Sequence, residues 1–231
     1  MNAAPKTQPP EASLDAGPRT NAELREEATG RMVETAIRLI ARHGASKLSL
    51  VDVGRESGYS HSLPNYYFKT KARLLLEVYD FIIGRFKKSA QAWNRNRLGR
   101  HPRPGLENIE ATIHAYLGLA SAEPTRSRAL NVLWAESFSS MPELLEEVRP
   151  SNASTLSFLE EQLRIGIRRG EIRADLDVES MAVILIALLR GTVSQSLIEP
   201  GRVDLARVCD AVLGLLRQGV AVPAETVHKR P

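Results

Sequence analysis

Between Ser49 and Phe68 the chain carries side chains suited to reading hydrogen-bond patterns rather than to making or breaking bonds. His61, Ser62 and Asn65 are polar and fall close together, just after the glycine Gly58, and Tyr66 and Tyr67 follow at once. Presented from the amino end of a short helix, such groups meet base edges in a DNA groove. Bond chemistry finds no comparable set. There is no pair of metal-ligand histidines, no Gly-x-Ser-x-Gly elbow and no phosphate-binding Gly-Lys-Ser/Thr loop. His43, His61, His101, His114 and His228 are scattered, and the single cysteine, Cys209, excludes an internal disulfide and a cysteine-rich zinc site. No enzyme activity, cofactor or metal is expected.

The elements that must hold this tract are two short helices crossing through a tight turn. Close crossing needs a small residue on the first, and Gly54 supplies it. The turn needs a residue tolerant of positive φ, and Gly58 supplies that. Tyr59 can tuck beneath the turn, Ser49 can cap the first helix and Ser60 the second, which is expected to end at Phe68. Spacing alone leaves two readings open, a DNA-reading head or an ordinary corner in a helical bundle.

Around this tract the chain patterns as helix throughout. Apolar residues at Met32, Val33, Ala36, Ile37, Ile40 and Ala41 form one stripe, opened by a capping box at Thr20 and Glu23 and closed by Gly44. Thr70 caps a long helix of about 71–92. Further helices are expected at about 106–120, 124–139, 142–149, 152–169, 178–198 and 202–219, with Ser151 and Asp177 as caps. Residues 1–19, rich in proline, form a tail, with the option that Arg19 and Arg25 lie on DNA as an arm. Residues 221–231 form a second tail. The 231 residues are 43% hydrophobic, enough for a core, and carry a formal charge of +4, which favours a polyanionic partner slightly. The longest uninterrupted apolar run, Met181 to Leu189, stops at Arg190, short of the ~20 residues of a membrane span. No signal peptide pattern opens the chain, so a cytoplasmic location is expected.

Residues 32–75 resemble the N-terminal domain of the TetR family of bacterial transcriptional regulators. The resemblance is carried by Ala36–Gly44, by Asp52, Val53 and Gly54, by the run from Gly58 to Lys71, and by Leu74 and Leu75. It implies that His61, Ser62, Leu63 and Asn65 face the major groove. Asn65 would then read adenine and Leu63 touch a thymine methyl. It implies that Tyr66, Tyr67 and Lys71 contact phosphates, with Ser49 and Ser60 at helix amino ends where anions are favoured. Two departures stand out. Pro64 occupies a position where the family usually has an apolar residue such as leucine, and is expected to remove one helical hydrogen bond. Tyr67 stands where histidine is common.

The resemblance also implies a small-molecule pocket in the middle of the chain. His114, Tyr116, Trp134 and Phe138 are its candidate residues, with plain core packing as the other reading. Independently, Leu156, Leu159, Leu163 and Ile167 form one stripe. Met181, Ile184, Leu185, Leu188 and Leu189 leave their helix little polar face. Such a helix must be buried on two sides. The candidate dimer contacts are therefore Leu156, Leu163, Ile167, Ile184 and Leu188, a core helix in a monomer being the alternative.

The expectation is an all-α chain. Residues 20–70 form a helix-turn-helix DNA-binding domain and residues 71–220 a helical effector-binding and dimerisation domain. The expected function is a homodimeric DNA-binding regulator, released from a double-stranded operator by an unidentified small molecule. A helical protein-interaction adaptor without DNA binding is the alternative.

Overall fold

The computed structural model describes residues 20–220. The two tails, with Arg19, lie outside the described residues. Helix α1 (Asn21–His43) opens on the expected capping box. Glu23 N–H donates to Thr20 Oγ1 at 3.2 Å, and Thr20 N–H to Glu23 Oε2 at 2.7 Å. Its buried stripe includes Met32, Val33, Ala36, Ile37 and Ile40, and Gly44 ends it at φ 85°. Helices α2 (Leu50–Ser57) and α3 (Leu63–Phe68) follow, then α4 (Lys71–Leu98). Helix α4 outruns its expected end near residue 92 because no breaker intervenes until Gly99, which adopts the left-handed conformation.

The remaining helices are α5 (Leu106–Ala122), α6 (Pro124–Ser137), α7 (Leu145–Arg168), α8 (Val178–Ile198) and α9 (Leu205–Val220), with a 3-10 turn at Pro142–Leu144 before α7. The expected break at Ser151 is absent: α7 runs straight through Pro150. The proline costs one bond to the Glu146 carbonyl in a solvent-exposed second turn, where the orphaned oxygen is open to water. Helix α9 starts later than expected, at the point where Asp204 Oδ1 takes the Ala206 and Arg207 N–H groups.

Two apolar cores organise the chain. One joins α1 to α4 with Ala129, Leu133 and Trp134 of α6 and with Met141, Leu144 and Val148 beyond it. The other joins α5, α7, α8 and α9. The core beneath the first three helices therefore extends past residue 70 into α6. Counted as a whole helix, rather than by its uninterrupted run, α8 is long and apolar enough to cross a membrane. In the single chain one face of it, with Ala182, Leu185, Ile186, Leu189 and Val193, is buried against the bundle.

Candidate nucleic-acid interface

The crossing of α2 and α3 depends on Gly54. A Cβ there would lie 2.8 Å from the Ser60 carbonyl oxygen and 3.2 Å from His61 Cα and Pro64 Cδ. The backbone of the turn thus sits directly against α2. Gly58 ends α2 in the left-handed conformation at φ 80°. Ser49 caps α2, its Oγ accepting from Asp52 N–H at 3.1 Å and donating to the Asp52 carboxylate.

Helix α3 begins later than Ser60. Residues 61 and 62 form a turn, and Ser62 occupies the cap position without a side-chain cap bond. Ser60 and Ser62 instead pair through their hydroxyls at 3.2 Å. This shift changes the consequence of Pro64. The proline falls in the first turn, where helical N–H groups have no intrahelical acceptor, so no hydrogen bond is lost. Its buried ring packs against Gly54 and locks the two helices together.

Ser60, His61, Ser62, Asn65 and Tyr66 are exposed on one end of the molecule. Leu63 is half-buried against the core, so only part of its side chain is presented. Tyr67 is also half-buried, edge-on to Tyr66 with centroids 5.2 Å apart. Phe68 is core. Lys71, at the start of α4, donates from Nζ to the Ser46 carbonyl at 2.6 Å, closing the α1–α2 loop onto α4.

Further cations surround this face. The Arg25 guanidinium lies 5.5 Å from the Tyr67 ring centroid, and Lys69 Nζ 5.0 Å from that of Tyr66. Lys47 is exposed in the loop before Ser49. Arg25 belongs to α1 and not to a tail, so the arm expectation is corrected for it. Lys69 holds φ 64° between α3 and α4, unusual for a residue with a side chain. Their signal in the sequence was only the positive charge beside the named tract.

A narrow cavity of about 50 Å³ lies between α4, α5, α6 and α8. Ile82, Phe86, Tyr116, Leu119, Leu130 and Val193 give it an apolar wall. Phe86 and Tyr116 meet edge to face at 5.5 Å. Of the four candidate pocket residues only Tyr116 lines it, and Trp134 lies one turn beyond Leu130. His114 faces elsewhere, its Nδ1 3.3 Å from Cys209 Sγ on α9. Phe138, at the end of α6, is 76% exposed and away from the cavity. On the cavity's polar side Arg126 pairs with Glu123 and, across to α1, with Glu34, both at 2.5 Å. Sequence spacing gave no sign of that cross-helix pair.

The candidate dimer contacts divide. Leu163 is fully buried within its own chain, and Leu156 and Ile167 pack half-buried on the same core, so the α7 stripe faces inward. Leu188 is also packed on that core. Ile184 is 52% exposed, beside Val183 at 54%, and Phe158 on the neighbouring α7 is exposed as well. The second apolar face therefore exists, but Val183, Ile184 and Phe158 carry it.

A glycine-packed helix-turn-helix with an exposed polar amino end, set on a larger helical body that carries a half-open cavity, defines a helix-turn-helix regulator. Residues 32–78 match the family model of bacterial regulatory proteins of the tetR family. Residues 105–220 match that of the C-terminal region of BetI-type transcriptional repressors. The chain belongs to the TetR family of DNA-binding transcriptional regulators, which are not enzymes. It is similar to the HTH-type transcriptional repressor BepR of Brucella suis, 24% identical over 213 residues and covering 89% of this chain and 99% of that protein. Its fold matches a TetR transcriptional regulator from Chloroflexus aurantiacus with a TM-score of 0.74 and 22% identity, over 86% of this chain and 98% of that one. It also matches a transcriptional regulator from Saccharomonospora viridis in complex with choline, with a TM-score of 0.66 and 22% identity, over 86% of this chain and 100% of that one.

Proposed function

We propose that the protein is a homodimeric repressor whose two α3 helices bind one operator and leave it when a small molecule fills the cavity between α4, α5, α6 and α8. The observation that carries this is Arg126. It lines the cavity and holds Glu34 of α1 at 2.5 Å, so whatever displaces it loosens the helix on which the reading head is built. The cavity is narrow, about 50 Å³, and half open between its helices. A molecule that parts the helices as it enters shifts the equilibrium by its preference for the parted form. The S. viridis complex supports this, since the same fold there holds choline.

On the DNA, His61, Ser62, Asn65 and the exposed part of Leu63 address base edges. Tyr66, Tyr67, Lys71, Arg25, Lys47 and Lys69 address phosphates, with Ser49 and Ser60 offering hydroxyls at the turn ends. A second copy covers Val183, Ile184 and Phe158. The two-fold axis so formed sets the reading heads for half-sites about 34–36 Å apart. The protein acts where its DNA is, in the cytoplasm.

The experiment fills the cavity without an effector. Ala120→Phe places a ring in the cavity from α5. A variant that stays helical and dimeric but binds its operator at least ~10-fold more weakly supports release by occupancy, within the range typical of allosteric coupling. Unchanged operator affinity in a folded Ala120→Phe dimer overturns it.

A further inference from the structure

Hydrogen-bond donors gather beside the cavity without acceptors to meet them. Arg190 of α8 sits one turn before Val193, half-buried among Trp134, Tyr116 and Tyr79. Its guanidinium stacks 4.2 Å from the Trp134 centroid, and among the described residues it has no hydrogen bond or ion pair. Trp134 Nε1 and Arg126 Nε are both buried without a partner. Burial pushes the Tyr116 phenol up to about 12, with Arg190 pulling the other way, so its hydroxyl keeps its proton.

The nearby acceptors are already engaged. Glu123 is taken by Arg126 at 2.5 Å and Arg85 at 3.9 Å, and Asn131 Oδ1 by the Ser194 hydroxyl at 2.7 Å. A cation taken from water into an apolar interior calls for a counter-charge, and burial already disfavours the charged form of Arg190. Resting on the reading of this cavity as the effector site, we propose that the effector is an amphipathic carboxylate. Its apolar body lies along Phe86, Leu119 and Leu130, and its head pairs with Arg190 between Tyr116 and Trp134.

One guanidinium matches one negative charge, and its planar donors fit a carboxylate in two-point fashion. A quaternary ammonium head in the same place would face a like charge. Seating the carboxylate draws Trp134 and Arg190 apart. Because Trp134 belongs to α6 and to the core beneath the reading head, the movement reaches α1.

The test uses the full-length dimer carrying Trp93→Phe, so that Trp134 is the sole tryptophan of the two in the chain. Octanoate, octan-1-ol and octyltrimethylammonium share one body and differ in head charge. Titrated against Trp134 fluorescence, octanoate should bind at least ~10-fold more tightly than the other two, as a charged hydrogen bond allows. Arg190→Gln should remove that advantage while leaving octan-1-ol affinity unchanged, which also shows the variant to be folded. Arg190→Lys should retain part of it. Three results overturn the inference: octyltrimethylammonium binding as tightly as octanoate, Arg190→Gln leaving octanoate affinity unaltered, or no octanoate binding at millimolar concentration. Operator affinity is measured separately. Arg190-dependent octanoate binding that leaves the operator bound overturns release by occupancy alone. An Ala120→Phe dimer that releases the operator while octanoate fails to bind overturns the carboxylate alone.

Discussion

Glu136, on the last turn of α6, accepts the backbone N–H of Ala45 at 2.9 Å through Oε1. The same oxygen accepts Ser46 N–H at 3.2 Å, so one carboxylate of the body holds the α1–α2 loop of the reading head. Lys71 grips the Ser46 carbonyl from the other side. With Arg126–Glu34 at the opposite end of α6, the head is fastened to this helix at two points.

Glu136→Ala should therefore loosen the head more than the body. Two amides of the loop lose a charged acceptor, a loss of about 1–3 kcal/mol. Chemical denaturation should show that drop, and operator affinity should fall with it. Full operator affinity in the variant would show the tether to be incidental.

Gly54→Ala tests the helix crossing. Its Cβ would meet the Ser60 carbonyl at 2.8 Å, a backbone atom that cannot rotate away. Overpacking of this kind costs about 1–3 kcal/mol. Calorimetry should show a lowered first transition and DNA binding should be lost, while the α5–α9 core remains helical. Normal melting of the Gly54→Ala protein would mean that the turn backs off freely.

Gly54, Gly58 and the polar tract were legible because a tight crossing restricts residue types severely, and so were most helices, through their apolar period. What escaped depended on partners distant in sequence. Arg126–Glu34 and Glu136–Ala45 join residues that no local pattern connects. On α7 Leu156, Leu163 and Ile167 looked like an interface and pack on their own chain's core, because periodicity marks an apolar face without saying what covers it. Ser60 looked like a helix cap, but the turn extends to Ser62 and moves Pro64 to a harmless position. His114 and Phe138 looked like pocket residues only by their types.

His114 carries a pH dependence. Burial holds it below the ordinary imidazole range, Arg97 adding to this while Asp210 and Glu110 oppose it. The unfolded chain takes up its proton near the ordinary value of 6.5 and the folded chain only at lower pH. The stability from neutral His114 is thus present above pH ~6.5 and is lost as pH falls below it. Melting temperatures between pH ~7.5 and ~5.5 should fall less steeply for His114→Gln than for the parent. Identical slopes would contradict the assignment.

Val183→Asp with Ile184→Asp tests the proposed dimer face and should leave the chain monomeric. Both side chains are more than half exposed in the single chain and make no contribution to its core. Sedimentation should give a helical monomer that has lost operator affinity, since one reading head forfeits the second half-site. A persistent dimer would move the interface elsewhere.

The most direct measurement is selection of bound sequences from random double-stranded DNA at two salt concentrations, with the parent protein, Asn65→Ala and Lys47→Ala. The parent should select a near-palindrome. Asn65→Ala should relax the preference at one base pair per half-site by ~1–3 kcal/mol. Lys47→Ala should weaken all sequences alike and reduce the salt slope by about 1. Binding without sequence selection, erased by salt and indifferent to Asn65, would contradict the account and leave residues 49–68 as a structural corner.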